Sequence, residues 1–557
     1  MARIWLTFSA IGAVFCFLVV RLFYWQVIRS PELRLEAASQ YYFTFTLPAQ
    51  RGAILASDFK PLVLNQSAYL AYAQPKDIRD IAGFSTQVSS ILGLDRKNLE
   101  IALSEPGKMW VPVAHKVEAS RVSELRALAL NGLGFEREPK RMYPESSMAA
   151  HLVGFVGSDE QGKDRGYFGL EGYYNRELSG KDGYLQLEKD VRGSPILVGE
   201  THRTESYDGR SIVLWLDRSV QRSAEQRLLE GIGKYGAKAG SVVVMDPKTG
   251  GILAMASYPN YHPGAFAQYP KEYYQNPVIA GVYEPGSTFK VLVMAMGIDR
   301  NAVKSTTIAE ETGPVRVGEY RIRTWDDSYR GTISMTDVLV HSSNVGMVFV
   351  QKKLGKEGML DALHRFGFGQ LTGIDLQEEA EANIRTDSDW NEIDLATASF
   401  GQGIGVTPIQ MVRAVGAIAN NGKMVKPQVV KEIRDESGNV VRNKPNNVFS
   451  VISPNTAQIV TEMMVASVDR GEAKWAKPKG YRIAGKTGTA QIPVAGHYDE
   501  NKTIASFVGF APADNPKFVM LVTLNEPTSS PWGSETAAPL FFAISRDLFS
   551  YYGISPQ

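Results

Sequence analysis

The chain has 557 residues, too many for one hydrophobic core; at about 150 residues per domain it predicts three or four domains. Apolar residues make up 44% and charged residues 21%, the mixture of a folded chain, which excludes wholesale disorder. Lys and Arg number 60 against 59 Asp and Glu, so no net field draws the chain to nucleic acid, and a single cysteine, Cys16, excludes disulfide scaffolding and cysteine-cluster zinc sites.

In chain order, the first element is an apolar segment, "MARIWLTFSAIGAVFCFLVVRLFYWQVI". Residues 4 to 20 carry no charge, and at about 1.5 Å each they span roughly 25 Å, enough for a bilayer core if Arg21 snorkels. Phe23, Tyr24 and Trp25 stand where a cleavage site needs small residues, so residues 1–28 are expected to be a retained anchor. Arg3 and the amino terminus put the short end in the cytoplasm, which predicts a single-pass inner-membrane protein with its bulk outside. Residues 29–50 read as a stalk, and 29–207 as a whole as a non-catalytic pedestal with helical stretches such as "TQVSSILGL".

Residues 208–557 have a different texture. "SIVLWL" predicts a strand and 217–235 an amphipathic helix. "GSVVVMD" and "GILAMAS" flank Asp246-Pro-Lys-Thr-Gly-Gly251, a β-hairpin pattern. Helical patterns follow, including "VLVMAMGI" and "VTPIQMVRAVGAIA". "TIASFVGFAP" and "KFVMLVTLNEP" then read as two strands joined across "APADNPK", with a helix from about Glu535 to Tyr551. Strands at both ends with helices between predict an α+β domain around a largely antiparallel sheet.

In "YEPGSTFKVL", a Pro-Gly turn precedes a buried helical pattern, and Ser287 and Lys290, three apart, share one helix face. A helix N-terminus favours a developing alkoxide, and a lysine can take the serine's proton once burial or a second cation makes it neutral. Ser57 and Lys60 repeat the spacing in "ASDFKPL", but Asp58 and Pro61 and the missing apolar period leave them without a buried helix. Ser342 and Asn344 bracket Ser343 in "VHSSNVG"; Ser437-Gly-Asn439 and Ser453-Pro-Asn455 repeat that pattern in polar surroundings and read as surface loops. Lys486-Thr487-Gly488-Thr489 lies in a strand-like run, where glycine marks a close approach, whereas Lys248-Thr249-Gly250 belongs to the hairpin turn. The glycines of "GQGIG" at 401–405 lack phosphate-loop spacing and predict a tight loop at a cleft wall. There is no Gly-x-Ser-x-Gly elbow, and the seven histidines show no ligand spacing; neither metal nor cofactor is expected.

Ser-x-x-Lys, Ser-x-Asn and Lys-Thr-Gly in this order are the active-site set of penicillin-binding proteins and serine β-lactamases. With "DPKTGGILAMASYPNY", "FGQGIGVTPIQM" and "AGKTGTAQ", and with "QRGAIL", "RMYPESSMAAHLVGFVG" and "GLEGYYNRELSGKDG" upstream, the chain resembles a class B (monofunctional) penicillin-binding protein, a peptidoglycan D,D-transpeptidase. "RFGFG" and the short cytoplasmic end look most like the division-specific subtype, although "LASDFKPLV" departs from the family's Asp-Arg-x-Gly turn. The resemblance implies a transmembrane helix, an elongated pedestal, and a five-stranded antiparallel sheet flanked by helices with an all-helical lobe. It implies Ser287 as nucleophile on stem peptides ending in D-Ala-D-Ala and on β-lactam antibiotics, Lys290 as its base, Ser342 as proton relay and Asn344 as positioning group. Lys486, Thr487 and Thr489 would hold the terminal carboxylate, and Gly488 would admit the stem peptide beside the strand. A polytopic membrane glycosyltransferase of the shape, division or sporulation type is the implied partner. Open alternatives are an elongation-specific transpeptidase, a membrane-anchored serine β-lactamase or β-lactam sensor, and a scaffold that activates the glycosyltransferase.

Overall fold

The structure, a computed structural model, describes residues 2–34, 42–188, 201–382, 384–443, 448–494 and 497–556. Part of the expected stalk, residues 35–41, lies outside the described residues. Ala2–Phe23 is one α-helix continued by Tyr24–Ile28; by length and composition it can cross a membrane, and none of its side chains is buried. The chain divides into two compact units, Met1–Arg51 with Ser179–Gly209, and Gly52–Leu178 with Arg210–Gln557. In the first, Tyr42–Leu47, Gly183–Glu188 and Thr201–Thr204 form a three-stranded antiparallel sheet, and the backbone N–H groups of Ala49 and Gln50 donate to Asp182 and Asp208.

The second unit is built on two sheets. One draws its strands from far apart in sequence: Ile54–Leu55, Pro61–Ala73, Val111–Glu118 and Leu133–Met142 join Ser211–Leu214, Val430–Arg434 and Val440–Arg442. Only the Ile54–Leu55 and Ser211–Leu214 pair is parallel.

The other sheet has five antiparallel strands: Ala239–Met245 (β1), Ile252–Tyr258 (β2), Ala484–Val494 (β3), His497–Ala511 (β4) and Phe518–Asn525 (β5), in the order β2-β1-β5-β4-β3. The near-continuous apolar runs of β1, β2 and β5 have a direct cause, because both faces are covered. Val242 and Val244 join a core with Arg218–Tyr235 (α1) and Ala537–Tyr551, while Val243 and Met245 face a core with Lys290–Asp299 (α2). The expected hairpin turns at Asp246 between β1 and β2, and α1 starts on Asp217, whose carboxylate accepts from the N–H groups of Ser219 and Val220, and ends at Gly236 with φ +61°.

The helical lobe carries Met335–Val340 (α3), Asn344–Arg365 (α4), Pro408–Ala419 (α5) and Pro454–Arg470 (α6). α3 and α5 begin with capping boxes, Ser334 with Asp337 and Thr407 with Gln410, so short helices have defined ends. α6 packs on α3, α2 and β3, which holds the three motif-bearing segments around one cleft.

Candidate active site

The Pro285–Gly286 turn opens a 3₁₀ turn, Gly286–Phe289, that runs directly into α2. Gly286 needs its glycine: its φ is +55°, and a Cβ there would come within 2.9 Å of the Thr489 carbonyl. The expected 401–405 loop docks on this turn, with Gly286 N–H donating to Gly401 O at 3.0 Å. Ser287, half-buried, is thereby held at the cleft surface while Phe289 and every residue of α2 from Lys290 to Ile298 are buried.

Lys290 is buried completely, and its Nζ donates to Asn344 Oδ1 at 2.8 Å, Ser342 Oγ at 3.3 Å and Ser342 O. Ser342 and Asn344 occupy the sharp turn between α3 and α4, where Ser342 has φ +56°; Asn344 Nδ2 is tied back to Arg323 O at 3.0 Å. Burial, followed by the charge of Lys486, drives the Lys290 amine well below an ordinary lysine, against the pull of Glu472 and Glu311. Lys486, also buried, is lowered to about 8 by burial, with Glu472 opposing, and its Nζ donates to Thr487 Oγ1 at 3.1 Å.

Ser287, Asn344 and Thr489 line one cleft of about 270 Å³, together with Gly286, Trp325, Phe400, Gln402, Gln491, Thr503, Pro531 and Trp532. Lys290, Ser342 and Lys486 lie buried behind its wall. β3 is an edge strand, so one side of the Lys486–Thr489 segment pairs with β4 and the other is unpaired within the sheet. At Gly488 a Cβ would meet Ser506 Oγ at 2.4 Å, Thr288 Cγ2 at 2.8 Å and Pro285 O at 3.1 Å; the close approaches at this glycine are those of Ser506 on β4 and of the nucleophile turn. The two cleft tryptophans, Trp325 and Trp532, cross edge-on with centroids 5.1 Å apart. Both went unread in the sequence, where their only signal is a large aromatic in polar, turn-like surroundings, "RTWDDS" and "SPWGSE".

The duplicate motifs fall elsewhere. Ser57 and Lys60 form a tight turn between strands, with Ala56 N–H donating to Lys60 O at 2.9 Å and Lys60 N–H to Asp58. Lys248–Gly250 is the β1–β2 turn, and Ser437–Asn439 is a turn fastened by Asp435. Ser453 is the N-cap of α6, an exposed helix start in place of the expected loop; Thr456 N–H donates to its hydroxyl.

The penicillin binding protein transpeptidase domain matches residues 240–546, and the penicillin-binding protein dimerisation domain matches residues 46–214. The chain is 32% identical to stage V sporulation protein D of Bacillus subtilis, over 99% of this chain and 86% of that one. It is 30% identical to peptidoglycan D,D-transpeptidase FtsI of Escherichia coli, over 97% and 90%. Penicillin binding protein 3 of Mycobacterium tuberculosis, solved in complex with aztreonam, superposes with a TM-score of 0.72 at 26% identity, covering 92% of this chain and 98% of that one. The chain belongs to the class B penicillin-binding protein transpeptidases.

Proposed function

We propose that the chain is a peptidoglycan D,D-transpeptidase that cross-links stem peptides through an acyl-enzyme on Ser287, in septal cell-wall synthesis. The observation that carries this reading is the fully buried Lys290 one helical turn beyond Ser287, gripped by Ser342 and Asn344, with its amine driven well below an ordinary lysine by burial and Lys486. A neutral Lys290 takes the hydroxyl proton as Ser287 Oγ attacks the carbonyl of the penultimate D-Ala. The peptide C–N bond then breaks, and the proton passes from Lys290 through Ser342 to the departing D-Ala amine. An amine of a neighbouring stem peptide attacks the ester, gives up its proton along the same path, and restores Ser287. The backbone N–H groups of Ser287 and Thr489 face the developing oxyanion, a contribution of about 2.7–4 kcal/mol per donor in acyl-transfer enzymes. Lys486, Thr487 and Thr489 receive the terminal carboxylate, and the free edge of β3 receives the stem peptide as an added strand, beside Gly488.

β-Lactams are attacked by Ser287 in the same way. Residues 1–28 are the membrane anchor, 29–207 the stalk and interaction pedestal, and 208–557 the transpeptidase domain. The uncovered apolar helix supports an intramembrane partner, a polytopic glycosyltransferase of the shape, division or sporulation type.

Mass spectrometry of the full chain after labelled penicillin tests the reading. The expected result is one long-lived adduct on the peptide carrying Ser287 and none in Ser287→Ala. Rapid release of opened drug would make the protein a β-lactamase, and undiminished labelling of Ser287→Ala would exclude this nucleophile.

A further inference from the structure

Behind the cleft wall lies a carboxylate that the reaction above leaves unused. Glu311 ends the short strand Ile308–Glu311, paired with Gly331–Ser334, and its side chain is fully buried. Oε1 accepts a hydrogen bond from Ser343 Oγ at 3.2 Å, while Oε2 is buried with no hydrogen-bond partner among the described residues. Ser343 Oγ in turn accepts from the Gly346 N–H at 2.8 Å and caps α4. Ser343 is the middle residue of Ser342-Ser343-Asn344, whose outer two residues hold Lys290 Nζ.

A half-paired buried carboxylate is costly, and an apolar pair of the same shape would fill the space at less expense in stability. What an apolar pair cannot supply is charge. The charges of Lys486, Glu472 and Glu311 act on Lys290, and those of Arg330, Asp326 and Lys290 act on Glu311, beside its hydrogen bond from Ser343.

We propose that Glu311 is a positioning residue for the reaction described above: through Ser343 it fixes the turn that grips Lys290, and it sets a negative charge behind that lysine to offset Lys486. The inference rests on Lys290 being the proton acceptor. Burial and Lys486 weaken Lys290 as a base, and too weak a base cannot take the serine's proton; Glu311 and Glu472 act in the opposite direction. Burial also raises the Glu311 carboxyl above an ordinary glutamate, and the Ser343 hydroxyl and Arg330 oppose this only in part.

The test is the second-order rate of acylation by labelled penicillin against pH, on the full chain in detergent, with thermal unfolding of each variant. Glu311→Gln keeps an acceptor for Ser343 and removes the charge. Acylation should slow roughly tenfold at neutral pH, and the acid limb should move to lower pH because Lys290 becomes harder to protonate. Ser343→Ala keeps the charge and loses the link, so it should slow acylation without moving the limb. Glu311→Asp restores the charge and should return the limb to its wild-type position. A folded Glu311→Gln protein with the wild-type limb overturns the proposal, whether its rate is normal or reduced. Should that variant not fold, a wild-type acylation rate in Ser343→Ala would overturn it. An absent adduct, or one away from Ser287, in the unmutated protein would instead remove the proposed function before any variant is compared.

Discussion

Two places in the second unit bury charge completely and handle it in opposite ways. In the region matched by the dimerisation domain, Arg141 donates through Nε to Glu171 Oε1 at 2.7 Å, through Nη1 to Asn65 Oδ1 at 2.9 Å and through Nη2 to Gly52 O at 2.7 Å, with side-chain exposures of 5% for Arg141 and 0% for Glu171. This one guanidinium ties together all three upstream motif segments, "QRGAIL", its own "RMYPESSMAAHLVGFVG" and "GLEGYYNRELSGKDG", with the strand Pro61–Ala73. In the cleft, Lys290 and Lys486 are as deeply buried and of like sign, and among the described residues neither has a carboxylate within ion-pair distance. Opposite charges neutralise each other and give structure; like charges lower each other's proton affinity and give reactivity.

The largest expected effect breaks the cleft half of this contrast. Lys290→Met should lower the acylation rate with labelled penicillin by about 10²- to 10⁴-fold, the range for removing a general base, while thermal unfolding moves little, because the relief of removing a buried amine offsets the loss of its hydrogen bonds to Ser342 and Asn344.

The Arg141 site should answer in reverse. Glu171→Ala strands the Arg141 charge and should cost about 3–5 kcal/mol in denaturant unfolding, with the acylation rate of the folded fraction near wild type. The double variant Arg141→Met, Glu171→Leu should regain most of that loss, and failure to regain it would show that the hydrogen bonds to Asn65 and Gly52 matter more than the pair.

The third expectation sharpens the contrast through pH. Lys486 is lowered from 10.5 to about 8, so between these values the unfolded chain binds more protons and stability rises with pH; below 8 the burial cost is present in full. Lys486→Met should therefore be more stable than wild type at pH 7, by a margin that shrinks by up to about 3 kcal/mol between pH 8 and 10.5. Acylation by wild type should fall above pH 8, as the charge that receives a carboxylate is lost. The smallest effect is expected at the duplicate motif: Ser57→Ala should leave labelling unchanged and stability within about 0.5 kcal/mol.

Much of this was legible in advance for local reasons. The β1–β2 hairpin follows from two apolar runs around Asp246–Gly251, and α1 from an apolar stripe between Asp217 and Gly236. Ser287 was separable from Ser57 because the Pro-Gly turn and buried period around it are themselves local. Glu311 left no such trace. It reads as one acid in "IAEETG", beside the exposed Glu310, and only the pairing of its strand with Gly331–Ser334 turns it inward to Ser343. Trp325 and Trp532, more than 200 residues apart, likewise become a pair only when the turn after Tyr320–Ile322 and the loop after β5 meet at the cleft.

By itself, the sequence determined which residues could do the chemistry and on what kind of element each would sit, because helix period, turn residues and strand patterning act over a few residues. Tertiary structure decided which charges meet. Lys290 is an ordinary lysine in the chain, and its proton affinity falls only where α2, the Ser342–Asn344 turn and β3 remove it from water beside Lys486. Dielectric environment and charge proximity are properties of packing, and they arise between segments that the sequence holds up to about 200 residues apart.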